Sequence, residues 1–188
     1  SKRTATNKLA DYPTLFGEIR QPKTDFIFIP LTTSENRRYI PMAFFDNSHV
    51  PNNTASVVPD ASLYEFGVMH SIMHMTWVNY VCGRLEGRYR YSNEIVYNNY
   101  PWPKEPNEKN KKVVEIKAQK VLDVRKDFSE ASIADLYDPL TMPPKLVKAH
   151  NELNKVVDKC YRSQPFNNQT NRIEFLFGLY EEYISTEI

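Results

Sequence analysis

The chain has 188 residues and a formal net charge of +1 at pH 7. Its hydrophobic fraction of 41% and aromatic fraction of 13% indicate a globular protein of one or two domains and exclude a disordered one. The balanced charge excludes a uniformly basic coat for nucleic acid, so any such contact must come from a local cluster of charge. The two cysteines, Cys82 and Cys160, exclude a disulfide-rich scaffold and suit a reducing cytoplasm.

The glycine pattern excludes several classes of enzyme. There are only five glycines and no Gly-x-Gly, so neither a dinucleotide-binding fingerprint nor a P-loop can be written. A methyltransferase cofactor core, which needs a glycine-rich turn, is not expected in this chain either. The first residues lack the apolar region of a signal peptide. The most apolar stretch, Phe66 to Cys82, is shorter than the roughly 20 residues that cross a bilayer, so no membrane partner is expected.

The first 60 residues predict one short polar helix over residues 2–10 and then a group of strands. Aromatic and β-branched runs bounded by turn residues are typical of strands. Pro41 argues that the second strand lies at an edge or carries a bulge. The polar segment Thr32 to Arg37 is predicted to connect the first two strands as a hairpin loop. The predicted strands are Asp25 to Pro30, Arg38 to Phe45 and Ala55 to Val58.

A long buried helix is predicted next. Ser62 and Glu65 have the spacing of a capping box, and apolar residues then run almost all round the helix. Gly83 suits a left-handed stop at its end. An extended segment, Arg84 to Ser92, and a strand, Glu94 to Tyr97, are predicted to follow. Alternate residues of an extended segment face opposite sides, so Glu86 and Arg88 are expected to share one side, with Tyr89 and Tyr91 packed inward against the helix on the other.

A proline-rich stretch that ends at Pro103 is the best domain boundary, and it divides the chain into residues 1–103 and 104–188. The second part predicts helices over Lys109 to Lys126, after Ser132, from Pro143–Pro144 onward and from about Thr170. Apolar residues at helical spacing predict the buried faces of the last three long helices. The last of these faces is Ile173, Leu176, Phe177, Tyr180 and Ile184. The predicted class is α+β: a small mixed or antiparallel β portion with a central buried helix, followed by a helical domain.

Two histidines suggest a metal site. His70 and His74 are four residues apart, the spacing of two zinc ligands on one helix face. However, Ser71 stands where a zincin has its Glu, and no third ligand is evident. We therefore favour core histidines, with a small zinc-dependent hydrolase as the alternative. His150 lies on an apolar stripe and is also predicted to be a core histidine.

Two basic segments could reach a duplex. Arg84, Arg88 and Arg90 alternate with tyrosines just after the long helix, and a second group surrounds the predicted hairpin tip. Arg can bond guanine with two hydrogen bonds, and Glu can accept one from the cytosine amino group. On physical grounds alone, the two segments favour an interpretation as solvated loops with surface ion pairs. The second group is Ser34, Glu35, Asn36, Arg37 and Arg38.

Several long motifs nevertheless resemble one family, the MmeI-like restriction–modification enzymes. In these single-chain proteins an endonuclease, an adenine-N6 DNA methyltransferase and a target-recognition domain are fused. The similar segments are Phe66 to Trp77, Cys82 to Leu85, Tyr89 to Ser92, Val96 to Pro103, Ala134 to Pro139, Thr141 to Pro143, Thr33 to Pro41 and Lys148 to Leu153.

The resemblance implies that residues 1 to about 103 are the later part of a DNA target-recognition domain and that the rest is the family's C-terminal helical region. It implies duplex DNA and the protein's own upstream methyltransferase domain as partners. S-adenosylmethionine, and Mg²⁺ for any nuclease, would be cofactors of the full-length protein, with neither cofactor nor catalysis in this chain.

One departure from the family pattern bears on specificity. Many members have Lys and Asp where this chain has Glu86 and Arg88, and in the family that pair is associated with the choice of one base pair of the target. The resemblance therefore implies that Glu86 and Arg88 read DNA and favours the DNA-binding interpretation of both basic segments. A purely structural docking module remains an alternative.

Overall fold

The structure is a computed structural model that describes residues 4–14 and 21–186. It confirms the predicted α+β class, because two small antiparallel sheets are followed by a helical region. The predicted N-terminal helix is present as α1 (Thr4–Leu9). Within the described residues, no helix is long and apolar enough to cross a membrane.

The first sheet has the order β3-β1-β4 and is built from β1 (Phe26–Pro30), β3 (Ala43–Phe45) and β4 (Ala55–Pro59). Two of the predicted strands are confirmed. The strand predicted over Arg38 to Phe45 is present only from Ala43, as the edge strand β3, and its start was wrong. Pro41 has no N–H for a ladder, and Tyr39 and Ile40 turn into the core instead of pairing.

The second sheet has the order β2-β6-β5 and is formed by β2 (Thr32–Thr33), β6 (Arg88–Arg90) and β5 (Gly83–Leu85). Strands β5 and β6 form a tight hairpin, with Leu85 opposite Arg88 and a two-residue turn at Glu86 and Gly87. The prediction of an unbroken extended segment here was therefore wrong.

The predicted long helix is divided into two helices, α2 (Leu63–Met69) and α3 (Ile72–Val81). The capping box at its start is confirmed, but Ser71 caps a second start by accepting a hydrogen bond from the His74 N–H. Gly83 has no left-handed conformation, since Cys82 is already extended and α3 leads directly into β5. The helix therefore ends near the predicted position, but the predicted left-handed conformation of Gly83 was wrong.

Residues Asn93–Tyr97 form a π-helical turn, so the prediction of a strand there was wrong. The Ser92 side chain caps this turn by accepting from the Ile95 N–H. The Trp77 indole donates to the Val96 carbonyl at 3.1 Å, which fixes the turn against α3.

The C-terminal region contains α4 (Glu108–Lys126), α5 (Ile133–Leu136), α6 (Pro144–Tyr161) and α7 (Gln169–Thr186), as predicted. The buried face of α7 is Ile173, Leu176 and Leu179. Phe177 and Ile184, predicted to point inward, are 40% and 45% exposed, because the buried stripe runs three residues apart and skips both.

One hydrophobic core runs through both parts of the chain, from β1 to α7. Helix α2 packs closely on α4 and α6 at Gly67. A Cβ at this position would lie 2.7 Å from Val114 Cγ1 and 3.4 Å from Leu153 Cδ1. The helical region is therefore the support on which the sheets and the segments between them rest.

Candidate nucleic-acid interface

The two basic segments, which lie about 50 residues apart in the sequence, meet at one surface. Strand β2 pairs with β6, with Thr33 opposite Tyr89, so the loop at residues 34–38 (the 34–38 loop) emerges beside the β5–β6 turn. The Glu35 carboxylate lies against that turn: its Oε1 is 3.1 Å from the position that a Cβ on Gly87 would occupy. The structure thus brings together the segments that were singled out separately.

An exposed ion pair stands on the turn. Arg88 Nη2 donates to Glu86 Oε2 at 2.7 Å, and the two side chains are 49% and 79% exposed. Such surface pairs contribute only about 0–1 kcal/mol, so the pair can open at little cost when another partner approaches. The two side chains do share one side, as expected, although Glu86 lies in a turn and not in a strand.

Glu86 has a left-handed backbone with φ 58°. This conformation costs a residue with a Cβ roughly 1–2 kcal/mol. Glycine or asparagine would be the usual occupant of such a turn position. The turn therefore holds Glu86 in a backbone conformation that few residues other than glycine, asparagine and aspartate adopt.

The hairpin is fastened to α3 by its inward tyrosines, as predicted. Tyr89 and Tyr91 are 5% and 2% exposed. The Tyr89 hydroxyl donates to the Asn79 side chain, and the Tyr91 hydroxyl lies 3.0 Å from His74 Nε2. These bonds hold the turn on a rigid helix, which suits a surface whose side chains must keep a fixed geometry.

Arg84 braces the same turn from its side. Its guanidinium lies over the Tyr89 ring at 3.9 Å and donates to the Gly87 carbonyl at 3.2 Å and to the Asn79 carbonyl at 3.4 Å. Arg90 is exposed on the neighbouring strand. Of these two arginines, Arg84 is therefore occupied within the hairpin, while Arg90 faces solvent.

The arginines of the 34–38 loop differ in the same way. Arg38 is exposed, with its guanidinium 6.0 Å from the Tyr39 ring centre. Arg37 is half-buried and bonds Thr33 Oγ1 at 3.1 Å and the Ala134 carbonyl of α5 at 3.2 Å. Ser34 accepts from the Asn36 N–H at 3.3 Å, which shapes the loop.

The two histidines of the metal hypothesis point to different protein partners. His70 faces the Arg125 guanidinium at 3.1 Å, and His74 bonds Tyr91. Burial holds the pKa of His70 well below its usual value, with the Arg125 charge as a further cause, and lowers the pKa of His74 to about 4. The described residues contain no cluster of three or more metal-ligating side chains. A cation beside His70 would also oppose a bound metal ion.

A buried arginine, Arg125, is the centre of a network that sequence reasoning missed. It is 8% exposed and donates to the Met42 carbonyl at 2.8 Å and to the Tyr137 hydroxyl at 3.0 and 2.6 Å. Tyr137 in turn lies 2.6 Å from His150 Nε2. Arg125 follows Val121 by four residues on the buried stripe of α4, and a charge at a core position was the available signal.

Arg125 carries the positive charge of this network, and Tyr137 and His150 are neutral. Burial raises the pKa of Tyr137 to about 12 despite the nearby Arg125 charge, and burial holds the pKa of His150 well below its usual value. Tyr137 therefore keeps its proton and donates it to the neutral His150 ring while accepting from Arg125. The rings of Phe66 and Tyr137, at 5.5 and 4.9 Å, also face the cation.

Two models of known protein families match the chain. The family model described as "MmeI, target recognition domain" matches residues 1–104, and that described as "MmeI, C-terminal domain" matches residues 106–187. The chain belongs to the MmeI family. It consists of a target recognition domain region and a C-terminal domain of this family.

Two relatives agree with the assignment. DNA methyltransferase A of Bacillus subtilis (strain 168) is 39% identical over 177 residues, which are 94% of this chain and 20% of that protein. A solved structure of the Type IIL restriction-modification enzyme MmeI in complex with DNA matches with a TM-score of 0.89 and 43% identity, over 98% of this chain and 25% of that one. The chain therefore spans a fifth to a quarter of the relatives that it matches.

Proposed function

We propose that this MmeI-family chain is the sequence-specific DNA recognition module of a fused restriction–modification adenine-N6 DNA methyltransferase. The observation that carries the proposal is the exposed Glu86–Arg88 pair, held on a rigid turn beside the 34–38 loop. Base reading requires donors and acceptors that are exposed, fixed in position and free to exchange partners. The pair meets all three conditions.

The pair has the chemistry to read one C·G base pair. The Arg88 guanidinium can donate to guanine O6 and N7, and the Glu86 carboxylate can accept from the cytosine amino group of the same or the adjacent pair. Each such contact contributes about 1–3 kcal/mol of discrimination against a wrong base. The gain exceeds the energy of the surface ion pair that must open.

The remaining residues of the surface supply position and backbone contacts. Arg38 and Arg90 are exposed cations flanking the pair and are proposed to contact phosphates, together with Ser34 and Asn36 of the loop. A phosphate would repel the Glu35 carboxylate, so Glu35 is proposed to accept from a base amino group. Arg84 and Arg37 belong to the same surface, but their bonds within the protein favour a role in holding the turn and the loop.

Catalysis is proposed to lie outside this chain. The module would place the protein's own upstream methyltransferase domain on duplex DNA so that one adenine is flipped out and methylated with S-adenosylmethionine. Mg²⁺ would serve any nuclease of the full-length protein. In this view residues 1–103 are the reading part, and residues 104–188 are the helical part that supports it.

A charge reversal tests the proposal. The full-length protein, expressed in a host without DNA methylation, should modify one sequence motif, mapped by sequencing that detects methyladenine. Glu86→Lys with Arg88→Asp should invert the preference at one position of that motif and leave the others unchanged, because Lys donates where Glu accepted and Asp accepts where Arg donated.

A matched control is the exposed ion pair of α4. Glu108→Lys with Lys111→Asp reverses charge in the same way on a helix outside the proposed interface and should leave the motif unchanged. An unaltered motif after the Glu86 and Arg88 reversal, with methylation retained, would refute base reading by this pair. Loss of folding is checked by circular dichroism; single variants Glu86→Gln and Arg88→Gln, which should relax the same position, then decide the question.

A further inference from the structure

Arg37 is directed into the protein rather than away from it. Its Nη1 donates to Thr33 Oγ1 at 3.1 Å and its Nη2 donates to the Ala134 carbonyl at 3.2 Å, while its Nε is buried. Thr33 lies in β2, at the start of the 34–38 loop, and Ala134 lies in α5 of the C-terminal domain. One side chain thus joins the proposed reading loop to a helix that is 97 residues away in the sequence.

The far side of the loop is held by the same region of the C-terminal domain. Tyr137, the residue that ends α5, accepts from Arg125, and Arg125 donates to the Met42 carbonyl at 2.8 Å. Met42 follows the loop by four residues. Arg37 therefore connects the loop to Ala134 of α5, and Arg125 connects Met42, just beyond the loop, to Tyr137 at the C-terminal end of α5.

Tyr39 adds a third attachment directly after the loop. Its ring stacks on His150 with centres 4.1 Å apart, and its hydroxyl accepts from Asn154 Nδ2 at 2.8 Å. Both partners lie in α6. The loop lies between two short strands, β2 and β3. Side chains of the C-terminal domain therefore add attachments that the strands alone do not supply.

We infer that Arg37 is a positioning residue that ties the 34–38 loop to α5, so that the C-terminal domain takes part in target recognition and does not only support the fold. The inference rests on the proposed function. The basic composition of the loop also suggests another role for Arg37, a direct contact with phosphate, and the inference excludes that role. It also excludes a C-terminal domain that serves only for docking.

The two roles of Arg37 differ in their dependence on salt. A phosphate contact contributes to every sequence alike and adds about 0.9 unit to the slope of log K against log salt. A residue that only orients base-reading groups contributes to the target sequence alone and releases no counterion. Lys also serves as a phosphate contact, but it lacks the rigid planar fork by which Arg37 donates to Thr33 from one nitrogen and to Ala134 from another.

The test measures binding of the full-length protein to two fluorescent duplexes, one with the mapped target and one with a scrambled sequence, between 50 and 300 mM KCl. Arg37→Ala should weaken target binding by about tenfold, leave scrambled-duplex binding within about twofold, and leave the salt slope unchanged. Arg37→Lys should behave like Arg37→Ala. The matched control Arg38→Ala, a proposed phosphate contact, should weaken both duplexes and lower the slope by about one unit.

A lower slope for Arg37→Ala on both duplexes, or full rescue by Arg37→Lys, would overturn the inference in favour of a phosphate contact. Unchanged target binding would overturn it as well. If Arg37→Ala unfolds the protein, Thr33→Val removes one of the two acceptors with little change of shape and should weaken target binding in the same selective way. A wild-type protein that does not distinguish the two duplexes would instead count against the proposed function.

Discussion

Gly67→Ala probes the contact through which the two parts of the chain share one core. The new Cβ would lie 2.7 Å from Val114 Cγ1, closer than real Cβ atoms approach another atom, and 3.2 Å from Ala118 Cβ, which is a tight contact. Val114 is fully buried, and its β-branched side chain has few rotamers with which to move away. The substitution therefore forces a shift of α2 relative to α4.

The magnitude follows from two opposing effects. Alanine is favoured over glycine inside a helix by about 1 kcal/mol, whereas overpacking costs about 1–3 kcal/mol. Gly67→Ala should therefore lower the free energy of unfolding by about 1 kcal/mol. In a Val114→Ala background the obstructing methyl group is absent, and the same change should raise it by about 1 kcal/mol, a coupling of about 2 kcal/mol.

The assay is urea unfolding at 25 °C, followed by circular dichroism, of the four proteins of this cycle. Gly178→Ala in α7 is the matched control, because a Cβ there meets no atom within 4 Å. It should stabilise both backgrounds equally. If Gly67→Ala stabilises the otherwise unchanged protein as much as Gly178→Ala does, α2 and α4 do not approach as described.

Two further predictions concern pH and the turn. Since His74 is neutral in the fold with a pKa of about 4, while the unfolded chain protonates near 6.5, the unfolded state binds more protons between these values. His74 alone should therefore lower the free energy of unfolding by about 2 kcal/mol between pH 7 and pH 5, and His70 and His150 should lower it further. Urea titrations that show equal stability at both pH values would contradict this. Gly87→Ala should displace Glu35 and weaken target binding while changing the free energy of unfolding by less than about 1 kcal/mol. The control Gly83→Ala in the same hairpin should leave target binding unchanged. If the two variants bind the target equally well, the contact between Glu35 and the turn does not matter for binding.

The elements fixed by local periodicity were predictable. The apolar stripes of α4 and α6 and the capping box at Ser62 carry their signal within a few residues, and the structure has them where expected. The break between α2 and α3 was not predictable in this way. It is stabilised by Asn154 Oδ1, which accepts from the Ile72 N–H at 2.8 Å across 82 residues of sequence.

The candidate interface was predictable in its parts and not in its assembly. Both basic segments stood out by residue type, and the inward direction of Tyr89 and Tyr91 followed from alternation along a strand. The meeting of the segments depends on a two-residue pairing of β2 with β6, which is too short to be found in the sequence. The different roles of Arg37 and Arg38 depend on the position of α5, which only the fold supplies.

Site-specific photocrosslinking is the most direct test of the claim that the 34–38 loop and the β5–β6 turn form one DNA interface. A photoreactive amino acid replaces Asn36, which is exposed on the loop, or Ile116, which is 57% exposed on α4. Irradiation of the full-length protein on its mapped target duplex should give a DNA adduct from position 36 and none from position 116. An adduct from position 116 alone, or equal yields from both, would contradict the account.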